Sequence, residues 1–271
     1  MRRQPPVLCY HRIGGPLELG VTRVGRSVFA RQMTALARAG WRTLTLDEFA
    51  HRNNDVRAQH AAPVHFLLTF DDGYASLAGS AYPILADLGF TATTFLITDY
   101  VGKANTWDVQ YTWNRVQHLS WPQVEQWRAR GFEFGSHGAS HRRLTWLDDA
   151  AIATELRGAR ETLTARLGAE AGRAIAYPFG AVDARILRHA RNAGYELGFA
   201  GVKGSGEALC RSRVPVYSWD RGDVPFGLRT DALGSLGRLV AHVANRCAVG
   251  TTVMQRFTQR ISPPPESVVD A

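Results

Sequence analysis

Short apolar runs alternate along this chain with segments whose apolar positions recur every three or four residues. The runs at 6–11 (PVLCYH), 64–70 (VHFLLTF), 91–97 (TATTFLI), 132–137 (FEFGSH), 174–180 (AIAYPFG), 197–201 (LGFAG) and 212–219 (SRVPVYSW) predict strands. Between them, helical spacing predicts helices over 27–40, 78–88, 120–131, 148–167, 183–193 and 231–246. The first of these reads as capped by Ser27, with Phe29, Met33 and Leu36 on one face and Gly40 as its stop; Ser120 caps the helix that carries Pro122 in its first turn. The run VHFLLTF has no polar alternation, which predicts a strand covered on both faces. Regular strand–helix alternation implies parallel βαβ units, closed into a barrel or doubly wound, with chemistry at the C-terminal strand ends in either case. Residues 1–261 read as one domain, and the proline-rich 262–271 (SPPPESVVDA) as a loose tail.

Charge and cysteine content narrow the function classes. The formal charge is +8, yet only Lys103 and Lys203 are lysines and the arginines are scattered, with no basic block of the kind that tracks nucleic acid. Nucleic acid is therefore not an expected partner. Cys9, Cys210 and Cys247 are odd in number and lack C-x-x-C spacing, which excludes a disulfide framework and a cysteine zinc site. The start MRRQPPVLCYHRIGG lacks the apolar core of a secretory signal, and no run reaches the ~18 apolar residues of a membrane span. A cytoplasmic location is expected, or a periplasmic one if a leader has been removed. Oligomeric state has no signal in the sequence.

The polar clusters fall where strands end: Tyr10-His11, Asp71-Asp72, His137 with His141, and Pro178-Phe179-Gly180. Two adjacent carboxylates repel each other and must be neutralised, hydrogen-bonded or bound to a cation. Two histidines four residues apart can aim their imidazoles at one point. Two neutral imidazoles and one carboxylate make a three-ligand site with an open position for water, the pattern of catalytic zinc. One aspartate would then bind and the other remain free to take a proton from the bound water.

LTFDDGYAS (68–76), GSHGASHRRLTW (135–146) and AYPFG (176–180), in this order, resemble the polysaccharide deacetylase family of NodB-homology carbohydrate esterases, over about residues 5–218. The resemblance implies a deformed (β/α) barrel of about seven parallel strands. It implies Asp71 as the base, Asp72, His137 and His141 as ligands of a divalent metal, and the Phe179 backbone N–H as donor to the oxyanion. Zinc is the first expectation for the metal, with cobalt or nickel as alternatives. The implied reaction is attack of metal-bound water on the N-acetyl group of an amino-sugar glycan. VLCYHRIGG (7–15) is similar to the branch that acts on poly-N-acetylglucosamine-like exopolysaccharides; His11, Tyr177, Pro178 and Trp219 are expected to line the substrate groove.

Two departures from the family pattern stand out. Ala176 occupies the position where many members carry an arginine that orients the base, and no Leu-x-His motif supplies a general acid, since His189 and His242 fall in predicted helices. Asp71, once protonated, would return the proton itself. Two other readings are a cytoplasmic deformylase or amidase acting on a lipid-linked sugar or small cyclic amide, and a glycan-binding module with a decayed site.

Overall fold

The computed structural model describes residues 5–15, 21–52, 64–107, 116–202 and 204–220. Seven strands form one parallel sheet: β1 (Val7–Tyr10), β2 (His65–Phe70), β3 (Thr93–Leu96), β4 (Glu133–Ser136), β5 (Ala174–Ala176), β6 (Leu197–Phe199) and β7 (Val214–Pro215), in the order β7-β1-β2-β3-β4-β5-β6. A two-residue strand, Arg42–Thr43, pairs beside the start of β2. The helices are α1 (Arg26–Arg38), α2 (Leu46–Arg52), α3 (Ser76–Ser80), α4 (Tyr82–Asp87), α5 (Trp121–Arg128), α6 (Asp149–Leu167) and α7 (Ala184–Asn192). The strands curl into a half-barrel, as the alternation and the family resemblance implied. Segment 211–215 links its two ends, because Arg211 bridges to Phe199 of β6 while Val214 and Pro215 pair with Leu8 and Cys9 of β1.

Burial on both faces explains the unbroken apolar runs. Along β2, Phe66, Leu68 and Phe70 pack outward with Phe29, Met33 and Leu36 of α1, while Leu67 turns inward with Phe95, Ala174 and Phe199. The interior is tight around Phe95. A Cβ on Gly135 would come within 2.8 Å of the Phe95 ring and 3.0 Å of the Ala174 carbonyl, so only glycine fits that position of β4.

The register gathers the strand ends on one face: Tyr10 pairs with Phe70, Leu96 with Ser136, and Ala176 with Phe199. The residues that follow, His11, Asp71, His137 and Tyr177, therefore emerge side by side.

Local details differ from the sequence expectations for identifiable reasons. Helix α1 starts one residue earlier than expected, with extended Gly25 rather than Ser27 at its N-cap. The helix expected over 78–88 is two short helices, because Pro83 opens α4 and cannot donate back into the turn before it. At the start of α5, the Ser120 N–H donates to Gln123 Oε1 at 2.9 Å, so capping involves both residues. The expected helix 231–246 and tail 262–271, with His242 and Cys247, lie outside the described residues. Among the described residues no helix is long and apolar enough to cross a membrane.

Candidate active site and metal centre

Strand β2 delivers the paired aspartates. The Asp71 N–H continues the β1 ladder by donating to the Tyr10 carbonyl at 2.9 Å; Asp72 and Gly73 then adopt left-handed φ values of 67° and 63°. Two successive left-handed residues reverse the chain sharply and aim the two carboxylates differently. Glycine suits position 73, since its φ is left-handed and a Cβ there would lie 2.6 Å from Leu96 Cδ2. Among the described residues only Asp72, His141 and Phe179 have positive φ without being glycine, and all three belong to this site. Such backbone persists only where surrounding structure holds it.

Asp72, His137 and His141 converge. His137 Nε2 and His141 Nε2 each lie 3.4 Å from Asp72 Oδ1, and the three ligand atoms fall within 4.8 Å of one another. His137 donates its Nδ1–H to the Ala176 carbonyl at 2.7 Å, which fixes the tautomer and leaves the Nε2 lone pair for the centre. Burial pushes the pKa of His137 down and that of His141 well down, so both rings stand neutral, as ligation requires. Two neutral imidazoles and one carboxylate, all buried and mutually within reach, fit a divalent cation.

The loop between the histidines is held by a residue the motifs did not reveal. Glu155 of α6 is buried, and its Oε2 accepts from the Ala139 and Ser140 N–H groups at 3.0 Å each, while Oε1 accepts from the Ser140 hydroxyl. A signal existed in the sequence: Glu155 interrupts the stripe Ile152, Leu156, Ala159, Leu163 on the core face of α6. An acid at such a position needs internal donors.

Asp71 has its own partner. Arg213 clamps it bidentately, Nη1 to Oδ1 at 2.6 Å and Nη2 to Oδ2 at 2.7 Å, while Arg213 Nε donates to the Ala200 carbonyl at 3.1 Å. An arginine absent at position 176 is thus present beside Asp71 from the closing segment of the half-barrel. Burial alone would raise the Asp71 pKa; the Arg213 guanidinium, with His137 beside it, outweighs burial and holds the carboxyl well below the usual range. Cys9 Sγ lies 3.5 Å from Asp71 Oδ2, and His11 completes a second cluster with both. Because both Asp71 oxygens already accept from the guanidinium, that cluster is a poor place for a cation. The two aspartates are therefore differentiated: Asp72 faces the imidazoles and Asp71 the arginine.

Phe179, at φ 61°, forms a tight turn after β5 in which the Gly180 and Ala181 amides donate to the Tyr177 and Pro178 carbonyls, while the Phe179 N–H takes no part in that pattern. Its ring lies 4.7 Å from that of His141. On the other side, the Trp107 ring centroid is 3.8 Å from His141; the Trp107 indole N–H donates to His118 Nε2 at 3.3 Å, and His118 in turn donates to the Asp72 carbonyl at 2.7 Å. Tyr74 stacks on His118 at 5.2 Å.

The expected groove residues divide. His11 is partly exposed beside Asp71, and burial of its ring lowers its pKa to about 4. Trp219 is exposed and packs on Tyr217 at 4.9 Å. Tyr177 is not in the groove: its ring is fully buried in the cluster of Leu144, Ile152 and Ile175, and its hydroxyl donates to the Leu209 carbonyl at 3.0 Å. Pro178 is buried too, serving the turn rather than a surface. His189 pairs with Asp149 at 3.2 Å on α7, outside this cluster.

A Bacillus subtilis protein named as a candidate polysaccharide deacetylase, YxkH, is 28% identical over 230 residues, which cover 85% of this chain and 75% of that protein. A Staphylococcus aureus poly-β-1,6-N-acetyl-D-glucosamine N-deacetylase is 25% identical over 186 residues, covering 65% of this chain and 60% of that enzyme's length. Among solved structures, the Streptococcus pyogenes deacetylase PplD, with acetate bound, superposes with a TM-score of 0.69 at 23% identity, covering 80% of this chain and 94% of that one. IcaB from Ammonifex degensii superposes at 0.62 with 27% identity, covering 79% and 91%. The family model described as polysaccharide deacetylase matches residues 59–198, the stretch that holds the aspartate pair, both histidines and the Phe179 turn. With more than half its length under that model, the chain belongs to the polysaccharide deacetylase family.

Proposed function

We propose that the protein is a metal-dependent hydrolase that removes N-acetyl groups from an amino-sugar polysaccharide or oligosaccharide. The observation that carries this reading is the division of labour between the aspartates: Asp72 converges with both His137 and His141, while both oxygens of Asp71 are clamped by Arg213. Asp72, His137 and His141 would hold a divalent cation, with zinc favoured by the donor set over cobalt or nickel; such an ion acidifies bound water and polarises a carbonyl. Asp71 accepts the proton of the attacking water, and the Phe179 N–H donates to the developing oxyanion. The arginine clamp makes protonated Asp71 a strong acid, so the proton passes readily to the leaving nitrogen, without a separate histidine acid. His11 and Trp219 would line the substrate groove. The expected substrate is a glycan related to that of the poly-N-acetylglucosamine deacetylases, to which the chain is similar.

The test is acetate release from N-acetylglucosamine oligomers by protein stripped with chelator and then reloaded. Turnover that vanishes on stripping, returns with zinc, and falls by on the order of 10³-fold or more in Asp71→Asn supports the proposal. Release that ignores chelator, or that occurs only from formylated or cyclic amides, overturns it.

A further inference from the structure

The metal-ligand loop does not end at His141. Five residues on, it carries Trp146, one of four large apolar side chains that the described residues leave exposed, at 46%. Fully buried Leu144 anchors the short 3₁₀ turn Leu144–Trp146, and the Trp146 N–H donates to the Arg143 carbonyl at 3.0 Å, so the indole sits on a backbone fixed to His141. Arg143 fills the space between that indole and the acyl site. Its guanidinium carbon lies 5.3 Å from the Trp146 ring centroid and 6.0 Å from that of Phe179, whose ring meets His141 at 4.7 Å. Four planar groups thus run in unbroken sequence, His141, Phe179, Arg143, Trp146, from the metal centre to an exposed rim.

The charge on this row has no internal partner. Arg143 Nε donates to Thr145 Oγ1 at 3.3 Å, and among the described residues no carboxylate pairs with the guanidinium. An exposed indole with a guanidinium stacked on it and no carboxylate to pair that charge offers an apolar face and free N–H donors side by side. It suits a pyranose ring, whose C–H face lies on the indole while its hydroxyl and amide oxygens accept from the guanidinium.

We propose that Trp146 and Arg143 form a subsite for a sugar residue of the substrate glycan that lies beyond both the one whose acetyl group is removed and its immediate neighbour. The inference rests on the proposed deacetylase reading and deepens it. The occupant is the continuation of the same glycan, because the row is continuous with the Phe179 turn.

The decisive measurement pairs binding with turnover. Zinc-loaded protein carrying Asp71→Asn is titrated with β-1,4- and β-1,6-linked N-acetylglucosamine dimers and pentamers, with and without Trp146→Ala. Pentamer affinity should fall on the order of tenfold with Trp146→Ala while dimer affinity holds, and Trp146→Phe should recover most of it. In the active protein, the same loss should appear in KM for the pentamer and not in kcat. Arg143→Ala should act in the same direction. Equal loss on dimer and pentamer, or no loss on either, overturns the subsite, as does an indole that instead mediates binding to lipid vesicles with the pentamer response unchanged. A protein that binds pentamer through Trp146 but releases no acetate from any glycan keeps the subsite and removes the deacetylase reading.

Discussion

At the residue scale, the site depends on contacts that no local motif contains. The aspartate pair, the two histidines and the Phe179 turn were legible because each is a contiguous signature at a strand end. Arg213 was not: it reaches Asp71 across 142 positions of sequence, from a strand that reads as ordinary VPV. Replacing it isolates its role. In Arg213→Gln the main opposition to the burial of Asp71 is gone, so its pKa rises and the acid limb of the kcat/KM profile moves to higher pH. Loss of orientation adds a fall in kcat on the order of 10²-fold across the plateau. A pH profile of acetate release reads both effects; an acid limb that stays in place would show that the guanidinium does not control the ionisation of Asp71. Tyr177 was misassigned for the opposite reason. It stands in the same motif as Phe179, and sequence adjacency does not reveal that Tyr177 and Pro178 are both buried before the chain turns at Phe179.

At the element scale, periodicity located the strands and most helices, because burial on both sheet faces and one face of each helix leaves a strong imprint. It could not show which helix braces which loop. Helix α6 is long and ordinary in pattern except for Glu155, and that exception ties it to the ligand loop through Ala139 and Ser140. Removing the carboxylate in Glu155→Ala leaves these donors without their acceptor and should cost about 2–3 kcal/mol in stability. The larger effect is on the centre, because His141 keeps its left-handed φ only while the loop is held. Zinc affinity, read by competition with a chromogenic chelator, should weaken ~10–100-fold, while Glu155→Gln, which retains one acceptor oxygen, falls between. Affinity that survives Glu155→Ala would show that α6 supports the fold and not the centre. The turn after β5 offers a backbone counterpart. Gly180 has φ 61°, and a Cβ there would lie 2.6 Å from the Gly201 nitrogen, which cannot step aside as a side chain can. Gly180→Ala should therefore displace the Phe179 N–H and reduce kcat for acetate release, leaving zinc content intact.

At the scale of the whole molecule, the half-barrel concentrates neutral imidazoles in its interior, and the consequence is acid lability. Burial lowers the pKa of His118 and of His11 to about 4, and pushes His137 and His141 down as well. In the unfolded chain each would bind a proton near its ordinary value of about 6.5. Between those limits the unfolded state holds more protons than the folded one, so stability rises with pH and is lost as pH falls from about 6.5 toward 4. Each such group contributes about 1.4 kcal/mol per pH unit inside its window. Asp71 acts in the same direction lower down, its stabilisation being lost only as pH drops below the ordinary carboxylate value of about 4. The melting temperature of chelator-treated protein should therefore decline continuously from pH 7 to pH 4. His118→Gln separates one contribution from the rest, since the glutamine amide can still donate to the Asp72 carbonyl but does not titrate. That variant should show a shallower decline by about one proton's share, with the difference in slope greatest near pH 5 and the gain over the parent largest at pH 4. A slope identical to that of the parent would mean that His118 takes up its proton in the folded state. The link it makes between Trp107 and the aspartate turn would then have to survive protonation.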